Sequence, residues 1–176
     1  MSASFPSVLP PLVVYPATPN DLEPLVELLA QVFHPPLGLQ GWIYPIRKLG
    51  IREDLRLRLA ARDPYYCCLV AAVESRVVGT VEISLRTMTH GKHPYLSNLA
   101  VLPGWRRQGV ARQLLLSAEG VVQGWGYHSL HLHVLEDNLP ARQLYAQLHY
   151  NPIERTSRLW QWVGVSPQLL LCKWLP

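Results

Sequence analysis

The chain has 176 residues, of which 49% are hydrophobic and 16% charged, and a net charge of +4. That balance fits one ordered globular domain and excludes a disordered chain, and no apolar run reaches the ~20 residues of a membrane span. The modest positive charge suits an anionic ligand without requiring nucleic acid.

Residues 1–11 carry Pro6, Pro10 and Pro11 and no Lys or Arg, which predicts an extended leader rather than a secretory signal. The domain is expected over 12–176, as a monomer or homodimer, in the cytoplasm. Cys67, Cys68 and Cys172 lack metal-ligand spacing and read as free thiols in a reducing compartment. No metal site is expected.

Leu12 to Tyr15 reads as a strand. Pro19 to Val32 reads as a helix starting near Asn20 or Asp21, with Leu22, Leu25, Val26 and Leu29 on one face. From Phe33 to Tyr44 runs a turn-rich loop with apolar side chains, among them Leu37 and Trp42. In Pro45 to Arg62, Leu55, Leu57 and Leu59 alternate like a strand, yet Leu55 and Leu59 also fit a helix. The length and the flanking charges predict helix.

Tyr66–Val73 and Val77–Leu85 predict a hairpin around Glu74-Ser75-Arg76, and Tyr95–Val101 a fourth strand. A helix follows Gly109 to about Val122, with Val110, Leu114, Leu115, Ala118, Val121 and Val122 as its stripe and Gly124 and Gly126 at its end. Leu130–Leu135 reads as a fifth strand. Ala141, Leu144, Tyr145 and Leu148 then recur at helical spacing. A sixth strand starts near Tyr150, and a last one spans Leu169–Lys173. The order predicts a mixed α/β fold in a single layered domain.

The turn between the fourth strand and its helix is Arg106-Arg107-Gln108-Gly109-Val110-Ala111. In such a turn backbone N–H groups converge, and the helix N-terminus adds partial positive charge, making a seat for a pyrophosphate. Gly109 and the small Ala111 permit close approach, and Arg106, Arg107 and Arg112 add full charge. The alternative is an ordinary basic helix start. A Walker turn needs a second glycine and a Lys-Ser/Thr pair, and a dinucleotide fingerprint needs three glycines. Neither is present.

The pattern R-x-x-G-x-A resembles the acetyl-coenzyme A loop of the GCN5-related N-acetyltransferases, the GNAT superfamily. Downstream, Asn138-Leu139-Pro140-Ala141-Arg142-Gln143-Leu144-Tyr145 resembles that family's N-x-x-A-x-x-L-Y. The resemblance covers about Tyr66 to Tyr150. It implies helices on both faces of a mostly antiparallel sheet splayed between the fourth and fifth strands, with acetyl-CoA held in the splay. It implies cofactor contacts from Leu99, Ala100 and Val101, from Arg106, Arg107, Gln108, Gly109, Val110, Ala111 and Arg112, and from Asn138 and Tyr145. The stretch Tyr44 to Leu59 further resembles plastid and cyanobacterial members, which acetylate protein N-termini and in some cases lysines.

Acetyl transfer to an amine requires a held thioester, a polarised carbonyl, an acceptor for the amine's proton and a donor for the departing thiolate. Tyr145 matches the family's phenol facing the sulfur; on spacing by itself it is equally a core residue. His131 and His133 share a strand face. Two strand histidines are commonly structural. Leu132-His133-Val134 resembles the NatE-type protein N-terminal acetyltransferases, which pair such a histidine with a tyrosine opening the fourth strand, here Tyr95. Many bacterial ribosomal-protein acetyltransferases place Glu there instead. Glu82 is the fallback base. Phe33, Leu37, Trp42, Tyr44 and Glu82 are the expected acceptor-side residues.

The leading expectation is an acetyl-CoA-dependent acetyltransferase for protein or peptide N-termini, with lysines as a second acceptor. A small-amine acetyltransferase would need acidic residues to hold a cationic substrate, and the chain has only 12 Asp and Glu. A non-catalytic acyl-CoA-binding module is the third class.

Overall fold

The structure, a computed structural model, describes residues 11–33, 44–88, 91–155 and 167–176, and only the backbone of 44–47. Among them lie seven strands: β1 (Leu12–Pro16), β2 (Tyr66–Val73), β3 (Arg76–Met88), β4 (Gly91–Val101), β5 (Ser129–Leu135), β6 (Asn151–Arg155) and β7 (Gln168–Trp174). The helices are α1 (Leu22–Phe33), α2 (Tyr44–Ala60), α3 (Val110–Gly124) and α4 (Leu139–Gln147). One sheet runs β1-β2-β3-β4-β5-β7-β6, antiparallel except between β4 and β5. This is the layered α/β architecture expected. The expected leader, Pro11 apart, lies outside the described residues.

Alternation along β2 sorts the two layers. Leu69 and Ala71 face α3, whose Leu114, Leu115, Ala118 and Val122 are buried with Val81, Ile83 and Leu96. Cys68 and Val70 face the other way, towards Leu25, Val26 and Leu29 of α1 and Leu55 of α2. Gly79 seats α3 closely: a Cβ there would lie 3.0 Å from Val110 Cγ1 and 3.2 Å from the Ala100 carbonyl oxygen. The start of α3 is thereby pressed against β3 and β4.

β3 runs three residues past the expected Leu85, and three further boundaries differ for identifiable reasons. The first helix is preceded by a 3-10 turn, Pro19–Asp21, capped from Thr18. The Asp21 carboxylate accepts from the Thr18 N–H and hydroxyl, both at 2.8 Å, a reciprocal cap that neither Asn20 nor Asp21 supplies by itself. The hairpin turn is Glu74-Ser75, since Arg76 already pairs with Val73. β4 begins at Gly91, four residues early, because Pro94 is tolerated where β4 has no ladder on its β5 side.

Two irregularities of β4 shape the centre of the sheet. Between the pairs Glu82↔Ser97 and Thr80↔Ala100, Asn98 and Leu99 oppose Val81, which is a β-bulge. Asn98 holds φ +52, a left-handed conformation that Asn adopts more readily than most residues. Towards β5 the registered pair is Tyr95↔His131, after which the strands diverge.

A buried ion pair fixes α3 to β7. Lys173 Nζ donates to Glu119 Oε2 at 2.6 Å and Tyr150 Oη to Glu119 Oε1 at 3.1 Å. Lys173→Met leaves the buried carboxylate without its cation. It is expected to lower stability by about 3 kcal/mol, seen in urea unfolding as a lower midpoint at unchanged slope.

Candidate active site

The turn before α3 is built to receive an anion. Gly109 has φ +82 and a Cβ there would meet nothing within 4 Å, so its outer side is open. Arg107 is also left-handed, at φ +64. Among the described residues no side chain caps α3, and its first turn holds no acid. The N–H groups of Val110, Ala111 and Arg112 therefore keep their hydrogens free of intrahelical partners. These donors and the helix dipole fit a pyrophosphate.

The arginines divide their work differently from the expectation. Arg106 turns back, its Nε donating to the Val101 carbonyl at 3.2 Å, and Gln108 Nε2 reaches the Gly104 carbonyl at 2.9 Å. Both side chains brace the turn. Arg107 and Arg112 stay exposed and supply the free charge. Asn138 caps α4, its Oδ1 accepting from the Ala141 N–H at 3.3 Å.

Past Tyr95, the groups of β4 that face β5 have no ladder partner. Of the expected carbonyl-polarising residues, Leu99 belongs to the bulge, whereas Ala100 and Val101 rejoin the ladder with β3.

Tyr95 spans the opening. Its Oη lies 2.7 Å from His133 Nδ1 and accepts from the His133 backbone N–H at 3.1 Å. The phenol thus fills the hydrogen-bond position that a β4 carbonyl would take in an unbroken sheet. Arg86 lies over the Tyr95 ring, 3.8 Å from its centroid. Burial lowers the His133 pKa, and the Arg86 charge adds to this while Glu154 opposes it. The imidazole is therefore neutral at pH 7.

Tyr145, 6% exposed, packs edge-on against Tyr150. Burial first, and then the neighbouring Tyr95, push its pKa up to about 12, so the phenol keeps its proton at any physiological pH. His131 shares the face of His133 but is buried against His93, with ring centroids 5.1 Å apart, and among the described residues its Nδ1 has no hydrogen-bond partner.

Glu82 is 2% exposed. Its Oε1 accepts from Asn98 Nδ2 at 2.7 Å and its Oε2 from Tyr66 Oη at 2.9 Å, and it pairs with Arg58 of α2. It does not stand open to an acceptor. Phe33, the last residue of α1, is half exposed. Leu37, Trp42 and the Tyr44 side chain lie outside the described residues.

Comparison with known proteins agrees with this geometry. The model of the acetyltransferase (GNAT) family matches residues 27–150. The chain belongs to the GNAT family. Members of that family transfer an acetyl group from acetyl-CoA to an amine. GCN5-related N-acetyltransferase 10, chloroplastic, of Arabidopsis thaliana is 30% identical over 164 residues, covering 82% of this chain and 64% of that protein. The chain thus spans less than two thirds of that relative's length. Among solved structures, the PaiA N-acetyltransferase of Thermoplasma acidophilum in complex with coenzyme A superposes with a TM-score of 0.73 at 17% identity, covering 93% and 99% of the two chains. Arabidopsis thaliana NAA60 with a bisubstrate analogue gives 0.70 at 18%, covering 94% and 98%. At such identities the structures speak for the fold.

Reading the sequence missed the groups around this GNAT site. Arg86, Arg58 and Tyr66 looked like ordinary strand and helix residues. One signal was available: Glu82 sits in a strand whose neighbours are apolar, and a carboxylate there needs donors from elsewhere.

A side chain at Gly109 would occupy the open side of the turn in a strained conformation. Gly109→Glu is expected to abolish acetyl-CoA binding by bulk and like charge, as read by calorimetry on the folded variant. Native affinity would remove the turn from the cofactor site.

Proposed function

We propose that this GNAT chain acetylates the N-terminal α-amines of proteins or peptides, with lysine ε-amines as a slower second acceptor. The observation that carries the reading is the Tyr95–His133 bond across the splay. It joins a neutral imidazole to a phenol beside the opening where a thioester would lie. Acetyl-CoA supplies the activated acyl group. The chain's own groups do the rest. The turn from Arg107 to Arg112 holds the pyrophosphate by N–H groups, and the β4 backbone near Leu99 polarises the carbonyl.

Proton traffic follows from the hydrogen bonds. His133 Nδ1 is engaged by Tyr95 Oη, so Nε2 is the nitrogen available to the amine. For Nε2 to carry the lone pair, Nδ1–H must donate to Tyr95 Oη, which has two lone pairs and accepts the His133 N–H as well. As the C–N bond forms, His133 Nε2 takes the amine proton. As the C–S bond breaks, Tyr145 Oη gives a proton to sulfur. The free thiols fit a reducing compartment, and we place the protein in the cytoplasm; the similar plant protein is chloroplastic. Among the described residues no helix is long and apolar enough to cross a membrane.

Two substitutions separate these roles. Tyr145→Phe is expected to lower kcat by roughly 10² to 10⁴-fold while acetyl-CoA affinity barely moves. A native kcat would make Tyr145 a core residue only. His133 has a lowered pKa, so its basic form is lost only at a pH below the ordinary imidazole range. In kcat/KM, His133→Ala should remove that step and leave only the limb of the substrate amine, at about 7.8. An unchanged profile would exclude His133 as the base.

The acceptor preference follows from the amine. At pH 7 an α-amine of pKa about 7.8 is roughly one-seventh neutral, and a lysine of pKa about 10.4 only a few parts in ten thousand. Deprotonating lysine costs about 3.5 kcal/mol more, and an imidazole below its usual pKa is too weak a base to offset that. On matched peptides at pH 7, α-amine acetylation should exceed lysine acetylation, with apolar first residues such as Met favoured. The gap should narrow as pH rises. Equal kcat/KM for the two amines at pH 7, by mass spectrometry, would make the chain a lysine acetyltransferase.

A further inference from the structure

One carboxylate gathers four elements at the β4 bulge. Glu82 stands on β3 beside the extra residue of β4. Its Oε1 receives the Asn98 amide at 2.7 Å, and Asn98 is the residue that holds the bulge in its left-handed turn. Its Oε2 receives Tyr66 from the start of β2 at 2.9 Å, and Arg58 from α2. Arg58 also grips Asp54, one turn earlier on α2. At 2% exposure, with three donors upon it, the carboxylate is engaged before any acceptor arrives.

These contacts join the two halves of the reaction. The bulge lies where the β4 backbone is open to a thioester. α2 begins at Tyr44, one of the residues expected on the acceptor side. The contacts run without a break from Arg58 of α2 through Glu82 to Asn98.

We infer that Glu82 is a positioning residue that locks the Asn98 bulge to α2, setting the thioester-polarising backbone in register with the acceptor side, and that it is not the general base. This rests on the acetyltransferase reading of the site. Its role is to hold a donor–acceptor pair, so the pair should work in reverse. Gln at 82 can donate to Asp at 98 while its carbonyl still accepts from Tyr66 and Arg58.

The test uses Glu82→Gln, Asn98→Asp and the double variant, each checked for native melting behaviour. Asn98→Asp sets two carboxylates face to face and is expected to lower kcat about 10²-fold by displacing the bulge. Glu82→Gln preserves shape and should cost less than about tenfold, with the acidic limb of the pH profile in place. The double variant should return kcat to within about threefold of the wild type. Acetyl-CoA affinity, measured by calorimetry, should change far less than kcat throughout. A double variant as slow as Asn98→Asp would overturn the inference. So would a Glu82→Gln variant slowed by more than about 10²-fold whose residual activity has lost the acidic limb, which is the signature of a base.

The assay is run with both an N-terminal peptide and a lysine peptide. If lysine is the better acceptor, the proposed substrate class fails while the reversed pair can still restore turnover. If neither acceptor shows restoration, the positioning role fails while the substrate class stands.

Discussion

The site depends on a parallel ladder that stops. β4 and β5 are registered at Tyr95 and His131 and then part. A buried backbone N–H without a partner is costly, so a sheet cannot open there unless something takes the place of the missing strand. The Tyr95 phenol does so, accepting the His133 N–H while meeting the His133 ring. The same contact keeps the sheet open and orients the imidazole. Structure and chemistry are therefore not separable at Tyr95.

Around this opening the two layers take different tasks. α3 and α4 cover one face and carry the Gly109 turn and Tyr145. α1 and α2 cover the other and bring Arg58 to Glu82. The bulge in β4 lies between them. Gly79 sets the height of α3 above the sheet, and Glu82 meets both Arg58 of α2 and Asn98 of the bulge. Each rests on packing that a single side chain would disturb.

What was legible in the sequence was mostly local. The α3 turn was visible because Gly109, flanked by arginines after an apolar strand, carries its conformation in its residue types. α3 itself, α2 and the hairpin follow from spacing. The pairing of Tyr95 with His133 is different: 38 residues separate them. Only the family resemblance linked them, because periodicity does not reveal which strands meet. Asn98 gave no sign of a bulge, since Asn serves as well in turns and caps. That Arg106 folds its Nε back on the Val101 carbonyl is not readable from the sequence. The surroundings of Glu82, named as the fallback base, were not legible because its donors come from α2, β2 and β4, none adjacent to it in the chain. The Thr18 cap was missed because the 3-10 turn starts three residues before the apolar stripe of α1.

The account turns on the state of one imidazole. An NMR titration following both ring nitrogens of His133, in the wild type and in Tyr95→Phe, reads it directly. The account predicts a midpoint below about 6.5 in the wild type, a proton on Nδ1 in the neutral form, and a changed tautomer balance once the Tyr95 hydroxyl is removed. A midpoint above that value, or nitrogen shifts identical in the two proteins, would contradict it.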